Sequence, residues 1–186
     1  LPPGMSFNAI SNKALEAYKN SKMPKSYFDW GQMLENNKSG FYPYTPATNL
    51  LYGLNESINM LLEEGLDNVF ARHKRLADAT RLAVEAWGLE ILAKNPIERS
   101  DSITAIMVPD GHDSDNLRKI IYDNYNMSLG TGLNKVKSKV FRIGHLGDLN
   151  DLSLMGALAG VEMGLKQSGI PYKSGGIMAA IDFLSS

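Results

Sequence analysis

The 186-residue sequence contains no cysteine. Disulfides, thiolate metal centres and cysteine nucleophiles are thereby excluded. It also lacks an excess of either charge, with 19 Lys and Arg against 20 Asp and Glu, a formal net charge of −1. Without a basic surplus to neutralise phosphates, no nucleic-acid partner is expected. No apolar run reaches the roughly 20 residues that a membrane helix needs, and no signal peptide is recognisable. No membrane partner and a cytoplasmic location are therefore expected. Histidine is scarce, three in all, and none is spaced as a ligand pair, so no metal site is expected. What is present is ordinary for a folded chain: 44% hydrophobic and 21% charged residues argue against a disordered or fibrous protein. The length suits one domain, or one small domain with part of another.

The chain opens on Leu1-Pro2-Pro3-Gly4 without an initiator Met, so a processed chain or a fragment is expected. Met5–Ile10 reads as a short strand, and Ser11 as the cap of a helix running to about Asn20. Ser26 to Asn37 reads as a second, weaker helix. Phe41-Tyr42-Pro43-Tyr44-Thr45-Pro46 crowds two prolines among aromatics and is expected to be an ordered, extended loop. Thr45 then fits an N-cap and Pro46 the first helical position. Leu50, Leu51, Leu54, Ile58, Leu61 and Leu62 follow at helical spacing, Gly65 closes that helix, and a longer one runs from about Leu66 to Trp87. From Gly88 the pattern changes to an α/β unit of roughly 100 residues, within the usual domain range. Strands are expected at 89–92, 102–108, 127–129 and 140–143, and helices at about 113–125, 151–167 and 174–184.

Several residues could carry chemistry. Arg142 lies inside the short apolar strand Val140-Phe141-Arg142-Ile143-Gly144, where a buried guanidinium needs a partner. That partner is a ligand carboxylate held by two parallel hydrogen bonds, or a structural salt bridge, unless the strand is an edge with Arg142 pointing outward. His145 in the following glycine-flanked turn is an acid–base group or a hydrogen-bonded structural residue. His73 belongs to the packed or boundary face of the long helix, and His112 to a solvated, Asp-rich turn. Gly130-Thr131-Gly132 has no clear helix behind it, so a dinucleotide fingerprint fails; a lid and a plain hairpin connection are the two readings. At Thr45 and Pro46 a helix start would offer free N–H groups and the positive end of a dipole. With the Thr45 hydroxyl and the Tyr42 phenol, that start holds a phosphate or is ordinary capping.

Four segments taken in order resemble the class V pyridoxal-phosphate-dependent aminotransferases. They are Leu1-Pro2-Pro3-Gly4, Phe41-Tyr42-Pro43-Tyr44-Thr45-Pro46, Glu63-Glu64-Gly65-Leu66-Asp67-Asn68-Val69-Phe70-Ala71-Arg72-His73 and Lys139-Val140-Phe141-Arg142-Ile143-Gly144-His145-Leu146-Gly147-Asp148. The resemblance runs over the whole chain. It implies an α/β, fold type I architecture: residues 1–65 as the end of a large cofactor domain, 66–87 as a bridging helix, and 88–186 as the small C-terminal domain. It further implies a homodimer with pyridoxal phosphate as cofactor. Arg142 would bind the substrate's α-carboxylate, and Tyr42 and Thr45 the cofactor phosphate of the partner subunit. The implied reaction moves an amino group from serine to glyoxylate, that is, from an amino acid to a 2-oxo acid. Alanine or aspartate as donor is one alternative. The other is a non-catalytic structural or dimerisation module. The family's Schiff-base lysine precedes the Pro-Pro-Gly, and the aspartate and the aromatic that hold the cofactor ring also lie upstream. This stretch is therefore expected to lack them and to be inactive alone.

Overall fold

Ser11 accepts a hydrogen bond from the Ala14 amide at 3.2 Å and caps α1, Asn12–Lys19, as its short polar side chain suits it to do. The computed structural model describes residues 2–186; Leu1 of the opening motif lies outside the described residues. Two units separate by their internal contacts, one reaching Glu64 and the other Gly65–Ser186.

In the first unit α1 is followed by a single 3₁₀ turn, Ser26–Phe28, then α2, Trp30–Lys38, and α3, Thr48–Glu64. The single helix expected over 26–37 is broken because Asp29 takes extended backbone angles and caps α2, accepting from the Gly31 amide at 2.8 Å. The same carboxylate accepts the Tyr18 hydroxyl, which ties α1 to α2. The strand expected at Met5–Ile10 is absent. Among the described residues of this unit no other strand is available, and a lone strand leaves its backbone groups unpaired. None of the described residues of this unit is buried. The apolar stripe of α3 is accordingly left open, with Ile58, Leu61 and Leu62 among the exposed side chains.

The second unit starts at Gly65, whose φ of 84° favours glycine and whose carbonyl accepts the Val69 amide. Helix α4, Leu66–Ala86, buries Val69, Leu76, Ala79, Thr80, Ala83 and Val84, a stripe at helical spacing. Strands β1 (Glu90–Ile91) and β2 (Ile103–Met107) follow, then α5 (Ser114–Tyr125), β3 (Gly130–Thr131), β4 (Val140–Gly144), α6 (Asp151–Ser168) and α7 (Gly176–Leu184). The four strands form one antiparallel sheet in the order β1-β2-β4-β3. Ile106, Phe141 and Ile143 point from one face into a core shared with α4 to α7. Side chains alternate along a strand, so Ala105 and Arg142 point from the other face.

The strand expected at Met127–Leu129 is displaced to Gly130–Thr131. Asn126, at φ 51°, ends α5 in the left-handed conformation, and the Leu129 carbonyl accepts Arg118 Nε at 2.8 Å instead of a ladder bond. The Gly-x-Gly segment is an anchored hairpin arm. The Asp115 carboxylate accepts from Thr131 at 3.0 Å, Ser138 at 2.9 Å and Arg118 at 2.8 Å. These bonds, Ser138 foremost, hold its pKa below the ordinary carboxylate value against the opposing effect of burial. Among the described residues no helix is long and apolar enough to cross a membrane, and no cluster of acidic or histidine side chains could hold a metal ion.

Candidate functional site

Strand β4 is an inner strand, hydrogen-bonded to β2 on one side and β3 on the other, so the edge-strand reading of Arg142 is set aside. Arg142 stands opposite Ala105 of β2 and Gly130 of β3. It is half-buried. Its Nε is shielded from solvent and has no hydrogen-bond partner, and among the described residues the guanidinium forms no ion pair. No structural salt bridge to Arg142 is formed within the described residues. A cation fixed on the open face of a sheet without a counter-charge can take an anion, and its fork geometry favours a carboxylate.

The turn after β4 is held by two histidines. His145 is fully buried. Its Nδ1 lies 3.0 Å from the Asp101 carbonyl, which can only accept, so Nδ1 carries the proton and Nε2 accepts the Thr104 hydroxyl at 2.9 Å. With both ring nitrogens engaged inside the core, His145 is structural and not an acid–base group. His73 works from α4: its Nδ1 donates to the Val69 carbonyl at 2.7 Å, and its Nε2 accepts the Gly147 amide at 2.9 Å. Arg72 donates to the Gly147 and Leu149 carbonyls at 2.7 and 3.3 Å. Asn150 then caps α6. The backbone leaving Arg142 is thus pinned from α4 and from the start of β2.

Burial pushes the His145 pKa below the ordinary imidazole value; the Asp101 carbonyl opposes this, and the nearby Arg81 charge adds to it. An unfolded chain takes up that proton near pH ~6.5, whereas the folded one resists it. The unfolded state therefore holds more protons there, and stability rises with pH through that region. The Gly65–Ser186 unit is expected to lose stability as pH falls from about 7 to about 5.5, and His145→Gln to flatten that loss. Urea midpoints measured across the range check this; equal slopes in the two proteins refute it.

Tyr42 and Thr45 lie in the other unit, on a cavity of about 580 Å³ lined by residues 40–46. Both are exposed, and among the described residues neither side chain has a hydrogen-bond partner. Helix α3 starts later than expected: the Ala47 carbonyl accepts the first helical bond, from Leu51, so Ala47 holds the cap position and Thr45 precedes it by two residues. Thr45 is therefore not an N-cap, and its hydroxyl stays available. The sequence gives no sign of the contacts from Arg72 and His73 to the β4 turn. The only hint is that both partners lie inside the long motifs quoted above.

No family model matches the chain. The serine–glyoxylate aminotransferase of Hyphomicrobium methylovorum is 50% identical over 188 residues, covering 100% of this chain and 46% of that protein. The L-aspartate–glyoxylate aminotransferase of Paracoccus denitrificans is 44% identical over 180 residues, covering 97% and 46%. Among solved structures, a ureidoglycine–glyoxylate aminotransferase from Bacillus subtilis shares the fold with a TM-score of 0.84 at 26% identity, covering 94% of this chain and 46% of that one. The chain spans about half the length of the curated relatives it matches. Identity of one residue in two over its whole length, together with the shared fold type I architecture, makes this chain similar to class V aminotransferases, in the C-terminal part of its serine–glyoxylate relatives.

Proposed function

We propose that the chain is the C-terminal part of a pyridoxal-phosphate-dependent aminotransferase that transfers the amino group of serine to glyoxylate, acting as a homodimer. The observation that carries this reading is the guanidinium of Arg142, set on an inner strand with no counter-charge among the described residues. Glyoxylate is little more than a carboxylate and an aldehyde, so its carboxylate is the one charged handle an enzyme can grip. Serine presents the same group. One arginine therefore serves both halves of the reaction, orienting the α carbon of each in turn.

The donor set at Tyr42 and Thr45 fits a phosphate. Two residues whose hydroxyls have no protein partner among the described residues line a cavity in a proline-stiffened loop, and phosphate oxygens accept hydrogen bonds. Both donors are neutral, so the balancing positive charge comes from elsewhere in the assembly. Tyr42 and Thr45 would hold the phosphate of the cofactor bound by the partner subunit. When bound, pyridoxal phosphate supplies the electron-withdrawing ring that lets an amino group change carriers. The anchoring lysine and the groups around that ring would belong to the rest of the polypeptide. Residues 1–65 are then the end of the large domain, 66–87 a bridge and 88–186 the small domain. The lack of any buried residue among those described before Gly65 supports this, because an apolar helix face left open needs a cover.

The test is direct. The full-length protein, supplied with the cofactor, serine and glyoxylate, is expected to yield hydroxypyruvate and glycine, and this chain alone neither. Turnover of aspartate to oxaloacetate in place of serine would shift the donor to the one named for the Paracoccus relative. Turnover by the isolated chain would overturn the assignment of the anchoring lysine to the missing part.

A further inference from the structure

We propose that Gly130 is a positioning residue for carboxylate recognition: by withholding a side chain it lets Arg142 lie against β3 with Nε sealed, so that the guanidinium meets a carboxylate end-on, through Nη1 and Nη2 alone. The proposal rests on the reading of Arg142 as the carboxylate-binding residue. Gly130 and Arg142 are direct partners across β3 and β4. A Cβ at position 130 would stand 3.0 Å from Arg142 Cβ, 3.0 Å from Nε and 3.4 Å from Cζ. The arginine thus runs along the bare backbone of β3 for most of its length. Gly130 is not among the glycines at positive φ, so its backbone could carry any residue. Space, not conformation, is what glycine supplies here. On the opposite flank stands Ala105, the partner of Arg142 in β2, and the two small residues make a slot.

A guanidinium can grip a carboxylate side-on, through Nε and one Nη, or end-on, through both Nη atoms. A carboxylate oxygen is about the size of a water oxygen, so an Nε closed to water is closed to it. Only the end-on approach is left. A buried donor without a partner is unfavourable, and here it is retained together with a fixed direction for the remaining pair. A methyl group at position 130 would press on Cβ and Nε, displace the side chain by a few tenths of an ångström and tilt the Nη pair off the substrate.

The experiment uses the full-length, cofactor-loaded protein with Gly130→Ala, Arg142→Lys and the double variant. Gly130→Ala is expected to raise KM for serine and glyoxylate roughly tenfold while kcat changes less than about threefold. In the Arg142→Lys background the same change is expected to move KM by less than about twofold, because the two residues act as one unit. A purely structural role for Gly130 would give additive effects and lower the yield of folded protein. As a readout independent of turnover, the Arg142 Nε–H signal in ¹⁵N NMR is expected to stay protected from exchange when glycolate is added, while its Nη signals shift. Additive KM effects, an unchanged KM in Gly130→Ala, or an Nε–H that engages glycolate would each overturn the proposal. A wild-type protein without activity, or an Arg142→Lys variant with unchanged KM, would instead overturn the reading of Arg142.

Discussion

Arg142→Ala in the full-length protein is expected to raise KM for both serine and glyoxylate by about 100-fold, with kcat much less affected. A hydrogen bond to a charged group contributes roughly 1.5–3 kcal/mol, and a bidentate pair about twice that. The guanidinium is only half-buried, so water competes and about 3 kcal/mol is the reasonable net loss, somewhat over two decades at ~1.36 kcal/mol each. The carboxylate keeps its charge from bound substrate through to product. Its contact is therefore made equally in the ground and transition states, and losing such an interaction shows in KM. Arg142→Lys is expected to recover only part of the loss, because it keeps the charge and forfeits the fork. Steady-state kinetics with each substrate varied in turn decides this, and an Arg142→Ala enzyme with wild-type KM values would remove the central support for the proposed function.

That residue was legible because its sequence neighbourhood is so uneven. A lone cation between Phe141 and Ile143 demands an explanation from burial alone. The helices were legible from their apolar spacing, and the first of them from Ser11, which caps it. What stayed hidden depends on long-range backbone bonding. Met5–Ile10 alternates like a strand but finds no neighbour to pair with. The arm beside β4 forms at Gly130–Thr131 and not at Met127–Leu129, because Arg118 takes the Leu129 carbonyl. The start of α3 shifts from Pro46 to Thr48, a displacement within the usual uncertainty of helix ends, yet it changes Thr45 from a cap into an unengaged hydroxyl. Gly130 reads in sequence as half of a Gly-x-Gly loop. Only its register opposite Arg142 shows that the missing side chain makes room for the guanidinium.

A second large effect is expected on stability, at the point where α4, α6 and α7 meet. Trp87 follows the last residue of α4 and is 1% exposed. Its Nε1 donates to Glu162 of α6 at 2.8 Å, its carbonyl accepts the Lys173 amide at 2.9 Å, and Gly176 at the head of α7 lies so close that a Cβ there would run into the indole. Trp87→Ala therefore opens a cavity under two helices and leaves Glu162 without its indole donor, a loss of about 3–5 kcal/mol. Trp87→Phe keeps part of the apolar contact but loses the N–H and part of the fused ring, for about 2 kcal/mol. A domain of this size is typically stable by roughly 5–15 kcal/mol, so the alanine variant gives up a large share. With a urea slope of about 2 kcal/mol/M, its midpoint by far-UV circular dichroism is expected to fall by about 2 M, and that of the phenylalanine variant by about 1 M. Gly176→Val approaches the same joint from the other side, forcing α7 off the indole, and is expected to destabilise too. Trp87→Ala cannot relieve that clash without leaving its own cavity. Adding Gly176→Val to Trp87→Ala should therefore cost less than in the wild-type background, because the valine then grows into vacated space; strict additivity would show that the three helices are not joined through this indole.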